Sequence, residues 1–236
     1  RRVRRLLLPL LWVATAVPAA AQPAAQAADF DRLFVRALEL QQAGDTLGAI
    51  DTYKAALAIA PDRADALSNL GAAYVRLGQF DDAIAQYEAA LKADPMSAAV
   101  RLNMALAYYK SARPDRAIPQ LLRVVAAEPE AKNAYLLLAD CYLQTGQHAE
   151  VVTLLKPRGA LFEGDLAYAF LLGTALLQGG DTLEGQKYVD RVFGAGESAE
   201  DRDRHRRAWG RFTRNFVVQG TAAEWALCWL AELRNR

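Results

Sequence analysis

The sequence predicts an all-α solenoid of antiparallel helix pairs, and three observations carry that expectation. First, the 236-residue chain repeats with a period of 34: Pro61, Pro95 and Pro129 stand one period apart, as do Ala49, Ala83 and Ala117 and the tyrosines Tyr74, Tyr108 and Tyr142. Second, Gly44 and Gly78 share a register that Gly146 and Gly180 rejoin after a single gap at Ala112. Third, Leu67, Leu70, Tyr74 and Leu77 recur at three- and four-residue steps, the signature of an amphipathic helix over 64–77. Self-similarity of this length marks units that bury their apolar faces only against their neighbours.

The first 21 residues read as an address. Arg1, Arg2, Arg4 and Arg5 form a basic head, Leu6 to Val13 an apolar stretch, and Val17-Pro18-Ala19-Ala20-Ala21 the small residues that a signal peptidase accepts. The apolar run is broken by Pro9 and Pro18 and falls short of the roughly 18–20 residues of a spanning helix. Cleavage is expected near Ala21–Gln22, leaving no stable membrane span, with a periplasmic or secreted location. Residues 22–29, rich in Ala, Pro and Gln, are expected to be a mobile spacer with nothing to bury.

Five units follow, over 30–63, 64–97, 98–131, 132–165 and 166–199. In the second, Gly78 ends the first helix, Asp81 and Asp82 place acidic charge in the first turn of the next, and Pro95 follows a helix that it cannot continue. Gly71 and Ala83 are small where the paired helices must approach. Unit four keeps Tyr135, Leu138-Ala139, Tyr142 and Gly146 but loses the closing proline; unit five keeps Leu172-Gly173 and Gly180 and carries Gly185 where the register has alanine. The match to the pattern is therefore strongest in unit two and weakest in unit five. Residues 200–236 leave the register and hold three of the four tryptophans, Trp209, Trp225 and Trp229. Two helices are readable there, the second opened by Thr221 and Glu224 as a capping box. The segment reads as a divergent cap closing the last unit, or as the product of a shifted reading frame.

The series Leu67, Leu70-Gly71, Tyr74, Gly78, Ala83, Tyr87, Ala90 and Pro95 resembles the tetratricopeptide repeat, a helix–turn–helix unit of this length. The resemblance covers about 170 of the 236 residues. It implies a right-handed superhelix whose first helices line a concave groove, with the second helices packed outside, and a function in holding protein or peptide partners.

Charge and chemistry narrow the classes. Residues 22–199 carry 16 basic and 22 acidic side chains, a net −6, which is not built to neutralise phosphates, so nucleic acid is not an expected partner. His148 and His205 stand apart with no metal-binding spacing, Cys141 and Cys228 have no CxxC spacing, and neither GxSxG nor GxxxxGK[ST] occurs. No enzyme activity, metal or cofactor is expected. Cys141 reads as a small buried thiol, and its pairing with Cys228 is left open.

Mapped through the period, the expected groove presents Asp65, Asn69 and Arg76 from unit two, Asn103, Tyr109 and Lys110 from unit three, and Asn133 and Asp140 from unit four. Asn69 and Asn103 are 34 residues apart and so form successive rungs. A side-chain amide offers donor and acceptor together and can bond an extended peptide backbone; the alternative is that both amides only bond within their own helix pairs. Arg76 and Lys110 form a second rung able to meet a carboxylate. The carboxylate clamp of chaperone-binding relatives is not supported, because the corresponding positions hold Phe34 and Leu38, then Ser68 and Ala72. The expectation is an exported adaptor that holds a peptide or protein segment in its groove. The competing readings are a structural stacking element of a longer repeat protein and a regulatory subunit of an envelope enzyme.

Overall fold

The computed structural model describes residues 21–193. The leader up to residue 20, the end of unit five over 194–199, the tail over 200–236 and any partner of Cys141 within that tail lie outside the described residues. Among the described residues ten α-helices follow one another without a strand: α1 (Ala21–Gln42), α2 (Thr46–Ile59), α3 (Ala64–Arg76), α4 (Phe80–Ala93), α5 (Ala98–Lys110), α6 (Pro114–Ala127), α7 (Lys132–Gln144), α8 (His148–Leu155), α9 (Leu166–Gln178) and α10 (Thr182–Phe193). Odd-numbered helices are the first of each pair and even-numbered the second. From α3 onward the first helices start 34 residues apart, and all five second helices do the same.

The turn inside each pair repeats one hydrogen-bond scheme. In unit two the Gly78 N–H donates to the Val75 carbonyl and the Gln79 N–H to the Tyr74 carbonyl, which closes the helix end in a Schellman motif. The motif needs a left-handed residue, and Gly44, Gly78, Gly146 and Gly180 supply it with φ between 73° and 94°. Ala112 fills the gap in the glycine series and still adopts φ 57°, with the same two hydrogen bonds from Ala112 to Tyr109 and from Arg113 to Tyr108. The scheme therefore overrides the local preference of alanine.

Close helix approach explains the small residues. A Cβ placed on Gly71 would lie 2.7 Å from the Tyr87 ring. In unit five a Cβ on Gly185 would lie 2.9 Å from the Leu177 backbone nitrogen and 3.0 Å from the Gly173 carbonyl. Glycine stands there in place of alanine because α9 and α10 pack closer than a methyl group allows.

Three features differ from the sequence expectation. The segment over 22–29 is not a loose spacer but the first two turns of α1. Alanine is the best helix former, and Pro23 sits in a first turn whose N–H groups have no intrahelical partner to lose. Residues 25–29 are nonetheless exposed, so this extension buries little. Leu77, read as part of the apolar stripe, is 40% exposed because it caps α3 beyond the last packed turn. In unit four the second helix stops at Leu155 and continues as a 3-10 turn over Lys156–Phe162. Pro157 has no N–H to give to the carbonyl of Thr153 and its ring crowds that turn. The 3-10 segment instead delivers Phe162 into the core, stacked on Tyr168 at 5.1 Å and edge-on to Tyr135 at 6.4 Å.

Each helix packs on the next in the chain, and beyond that α3 touches α5, α5 touches α7 and α7 touches α9. The second helices make no comparable contact from unit to unit. An array whose first helices converge while its second helices spread is curved with the first helices inside. The chain is an α-solenoid with a concave face built from α3, α5, α7 and α9. Alternating small and large side chains fill the seam between layers: Ala83, Tyr87 and Ala90 from α4, for example, meet Val100, Met104 and Ala107 from α5. The largest cluster runs from α5 through α9 and contains Leu121, Leu138, Leu155 and Leu172 at full burial.

Candidate functional site

Several units contribute the same register to the concave face, and the groove residues expected from the sequence fall on its helices. The structure gives them unequal freedom. Asp65 accepts from the Arg63 guanidinium at 2.7 and 3.1 Å and from the Ala66 N–H at 2.8 Å. These contacts hold its carboxyl below the usual range, the Arg63 bond being the largest cause. Arg63 also lies 3.9 Å over the Phe30 ring and 3.8 Å from Asp31, so this edge of the groove ties unit one to unit two. Asn69 donates from Nδ2 to the Asp65 carbonyl one turn earlier at 2.8 Å, which occupies a donor, while its oxygen accepts nothing among the described residues. Asn103, one rung on, is half-buried and makes no hydrogen bond within the described residues.

Arg76 is exposed and donates to the Gln41 carbonyl at 3.3 Å, across to the end of α1. Lys110, on the same rung, has no ion pair or hydrogen bond among the described residues. Asn133 is exposed at the start of α7. The rung that Asn69 and Asn103 begin does not continue: unit four carries buried Leu137 there, so the amide ladder is two rungs long.

Tyr109 and Asp140 were expected as separate groove side chains. The structure brings them together and buries both. The Tyr109 hydroxyl donates to Oδ2 of Asp140, and Gln144 Nε2 donates to the same oxygen at 3.1 Å. Asp140 is the one charged residue buried among the described residues, at 9% exposure. Burial raises its carboxyl above the usual range, while the Tyr109 and Gln144 bonds pull the other way. Tyr109 is pushed up by burial first and by the Asp140 charge second. The pairing was missed because the residues are 31 apart, one helical turn short of the period, so a search for 34-residue rungs does not connect them. The signal was the simultaneous loss of the repeat's apolar residues at both positions: Val75 and Ala72 hold these registers in unit two, Tyr109 and Asp140 here.

A second hollow, lined by Tyr142, Ala149, Glu150, Thr153, Leu154 and Arg158, lies along α7, α8 and the 3-10 turn. It was not expected from the sequence and follows from the early end of α8. Cys141 is fully buried between these layers, its thiol pushed up chiefly by burial. Among the described residues no group of three or more His, Cys, Asp or Glu side chains is placed to hold a metal ion. No described helix is long and apolar enough to cross a membrane.

The fold and its inner surface define a helical-repeat protein with a multi-unit concave face. Residues 40–101 and 102–150 match two family models, each described as tetratricopeptide repeat, so residues 40–150 belong to the tetratricopeptide repeat family. The matches indicate no catalytic family. No curated protein sequence matches it. Among solved structures it is similar to the MamA protein, with a TM-score of 0.65 and 24% identity over 69% of this chain and 88% of that one. MamA 41-end from Desulfovibrio magneticus RS-1 gives a TM-score of 0.65 at 20% identity, covering 70% and 93%. YrrB, described as a TPR protein with an unusual peptide-binding site, gives 0.64 at 19% identity, covering 73% and 88%. At these identities the likeness is one of fold.

Proposed function

We propose that the chain is an exported protein–protein interaction adaptor that holds an extended peptide or protein segment in its concave face, with the amide rung of Asn69 and Asn103 on the partner's backbone. The observation that carries the reading is the state of that rung. Asn69 keeps its oxygen free and Asn103 keeps its whole amide free, on helices that converge toward one another. An unengaged amide on a half-buried surface is a hydrogen-bonding group without a structural task, and a peptide backbone satisfies both its donor and its acceptor. YrrB, described as a TPR protein with an unusual peptide-binding site, shows that a protein of the same fold binds a peptide. Export rests on the leader sequence alone.

The test is a peptide-display selection against the full chain, followed by affinity measurement with the selected peptides. Replacing Asn69 and Asn103 together with alanine should leave the helical spectrum and melting point in place. Affinity should fall by about 0.5–1.5 kcal/mol per lost hydrogen bond. Peptides that bind the double variant as well as the parent chain would remove the amide rung from the site. A loss of stability above a kilocalorie with binding intact would return the asparagines to a role inside their own helix pairs, and the stacking reading would take over.

A further inference from the structure

Building on the groove reading, we propose that Asp140 marks a subsite for a cationic group of the bound segment, a lysine ammonium or an arginine guanidinium, at the junction of units three and four. The position of Asp140 carries Leu38, Ala72, Leu106 and Thr174 in the other four units, so the fold does not need a carboxylate there. A carboxylate removed from water is costly unless it is paired with a cation. None of the salt bridges among the described residues includes Asp140. Its two donors, the Tyr109 hydroxyl and the Gln144 amide, are neutral and both use Oδ2; Oδ1 accepts nothing from the described residues.

The identity of Gln144 sharpens the point. Its rung carries Arg76 in unit two and Lys110 in unit three. The register admits a cation, as units two and three show, but unit four keeps the glutamine that units one and five also carry as Gln42 and Gln178, and so leaves the neighbouring carboxylate without one. Tyr109 is likewise placed where units two, four and five carry Val75, Leu143 and Leu177. Tyr109 has thus replaced an apolar residue and Gln144 stands where a cation could stand; on two helices that touch, they hold one carboxylate oriented but not neutralised. The surrounding wall is apolar, with Leu106 half-buried and Leu136 and Leu137 buried. Such a wall accepts the methylene stem of a long cationic side chain while the charge meets the carboxylate. Burial raises the Asp140 carboxyl, and an incoming cation would draw it down again, so binding should strengthen as pH rises through its titration.

The test uses the full chain and three blocked pentapeptides, Ac-Ala-Ala-Xaa-Ala-Ala-amide with lysine, arginine or norleucine at the centre, titrated by NMR. The lysine or arginine peptide should shift the backbone amides of α5 and α7 and the Asp140 side-chain carbonyl carbon, and the norleucine peptide should not. Asp140→Asn keeps the shape and the acceptor, and should weaken the charged peptide about tenfold while leaving the norleucine peptide unchanged. Discrimination between lysine and arginine identifies which cation the subsite takes. Equal binding of the norleucine peptide, or unaltered binding of the charged peptides to Asp140→Asn, would overturn the subsite. Shifts confined to Asn69 and Asn103 would overturn it while leaving the groove reading intact; no shift on any first helix with any peptide would overturn both.

Discussion

Ala112 and Gly78 occupy the same position of adjacent units, and exchanging their identities measures the backbone term of the repeat in isolation. Both residues are left-handed, at φ 57° and φ 73°, and both donate through the same pair of turn hydrogen bonds. A Cβ on Gly78 would meet nothing within 4 Å, so Gly78→Ala introduces no steric clash with the rest of the fold. Its effect is the left-handed penalty of an L-residue, about 1–2 kcal/mol, offset by the smaller unfolded-state entropy of alanine, about 0.4–1 kcal/mol. The net expectation is a loss of about 0.5–1 kcal/mol for Gly78→Ala and a gain of similar size for Ala112→Gly. In a chain of this length that corresponds to roughly 1–4 °C in melting temperature. Urea denaturation followed by far-ultraviolet circular dichroism reads both, with an unchanged m-value as the check that the surface exposed on unfolding is the same. If Ala112→Gly lowers stability, or Gly78→Ala leaves it unchanged, the left-handed residue of the Schellman motif does not set the stability of these turns.

Four further expectations rest on separate contacts. Gly71→Ala pushes a methyl group against the Tyr87 ring and should lower stability by about 1–3 kcal/mol; Gly185→Ala, which meets backbone, should fall at the upper end of that range in the same denaturation assay. Leu70→Ala and Leu172→Ala should each lose about 2–5 kcal/mol, and equal losses are expected because the two side chains are 2% and 0% exposed. Cys141 should resist a thiol reagent in the native chain and react on unfolding, since its thiol is buried and raised. Asp140 is raised in the folded state, so its contribution favours folding below its ordinary titration range and is lost as pH rises through the folded value. Asp140→Asn should therefore stabilise the chain more at pH 7 than at pH 3.5, as read from urea midpoints at the two pH values.

The architecture was legible because a solenoid writes itself into the sequence many times. Pro61, Pro95 and Pro129 each follow the end of a second helix, and the glycine register falls on the left-handed turn residue in four units of five. What failed to read through was whatever depended on a single copy. The helicity of 22–29 is a matter of propagation from the packed part of α1, and composition alone does not distinguish an alanine-rich helix from an alanine-rich spacer. Pro157 ends α8 early, but only the position of Phe162 in the core shows why the chain tolerates it. The weaker match of unit five to the pattern does not mean looser packing: Gly185 departs from the pattern because the helices there approach closely, and Leu172 is as buried as Leu70. The groove positions fell on the inner helices through the period, whereas their freedom depends on neighbours that the period does not encode, such as Arg63 on Asp65 or Tyr109 on Asp140.

That distinction bears on where specificity resides in a repeat array. Residues that recur with the period, such as Ala83 and Ala117 or Tyr74 and Tyr108, are fixed by packing and are the same problem solved several times. They carry stability and little information about a partner. Information must lie where one unit departs from the others at a position the core does not require. On the concave face such departures concentrate at α5 and α7, where Tyr109 and Asp140 replace the residues that neighbouring units use and Gln144 binds the same carboxylate. The Asp140→Asn comparison at two pH values and the charged-peptide titration address the same carboxylate from opposite sides. A substitution that stabilises the chain at neutral pH while removing recognition of a cation would mark Asp140 as retained against stability. A carboxylate serving only as an inter-unit strut would instead lose stability when neutralised, and the cationic peptides would not distinguish the variant from its parent.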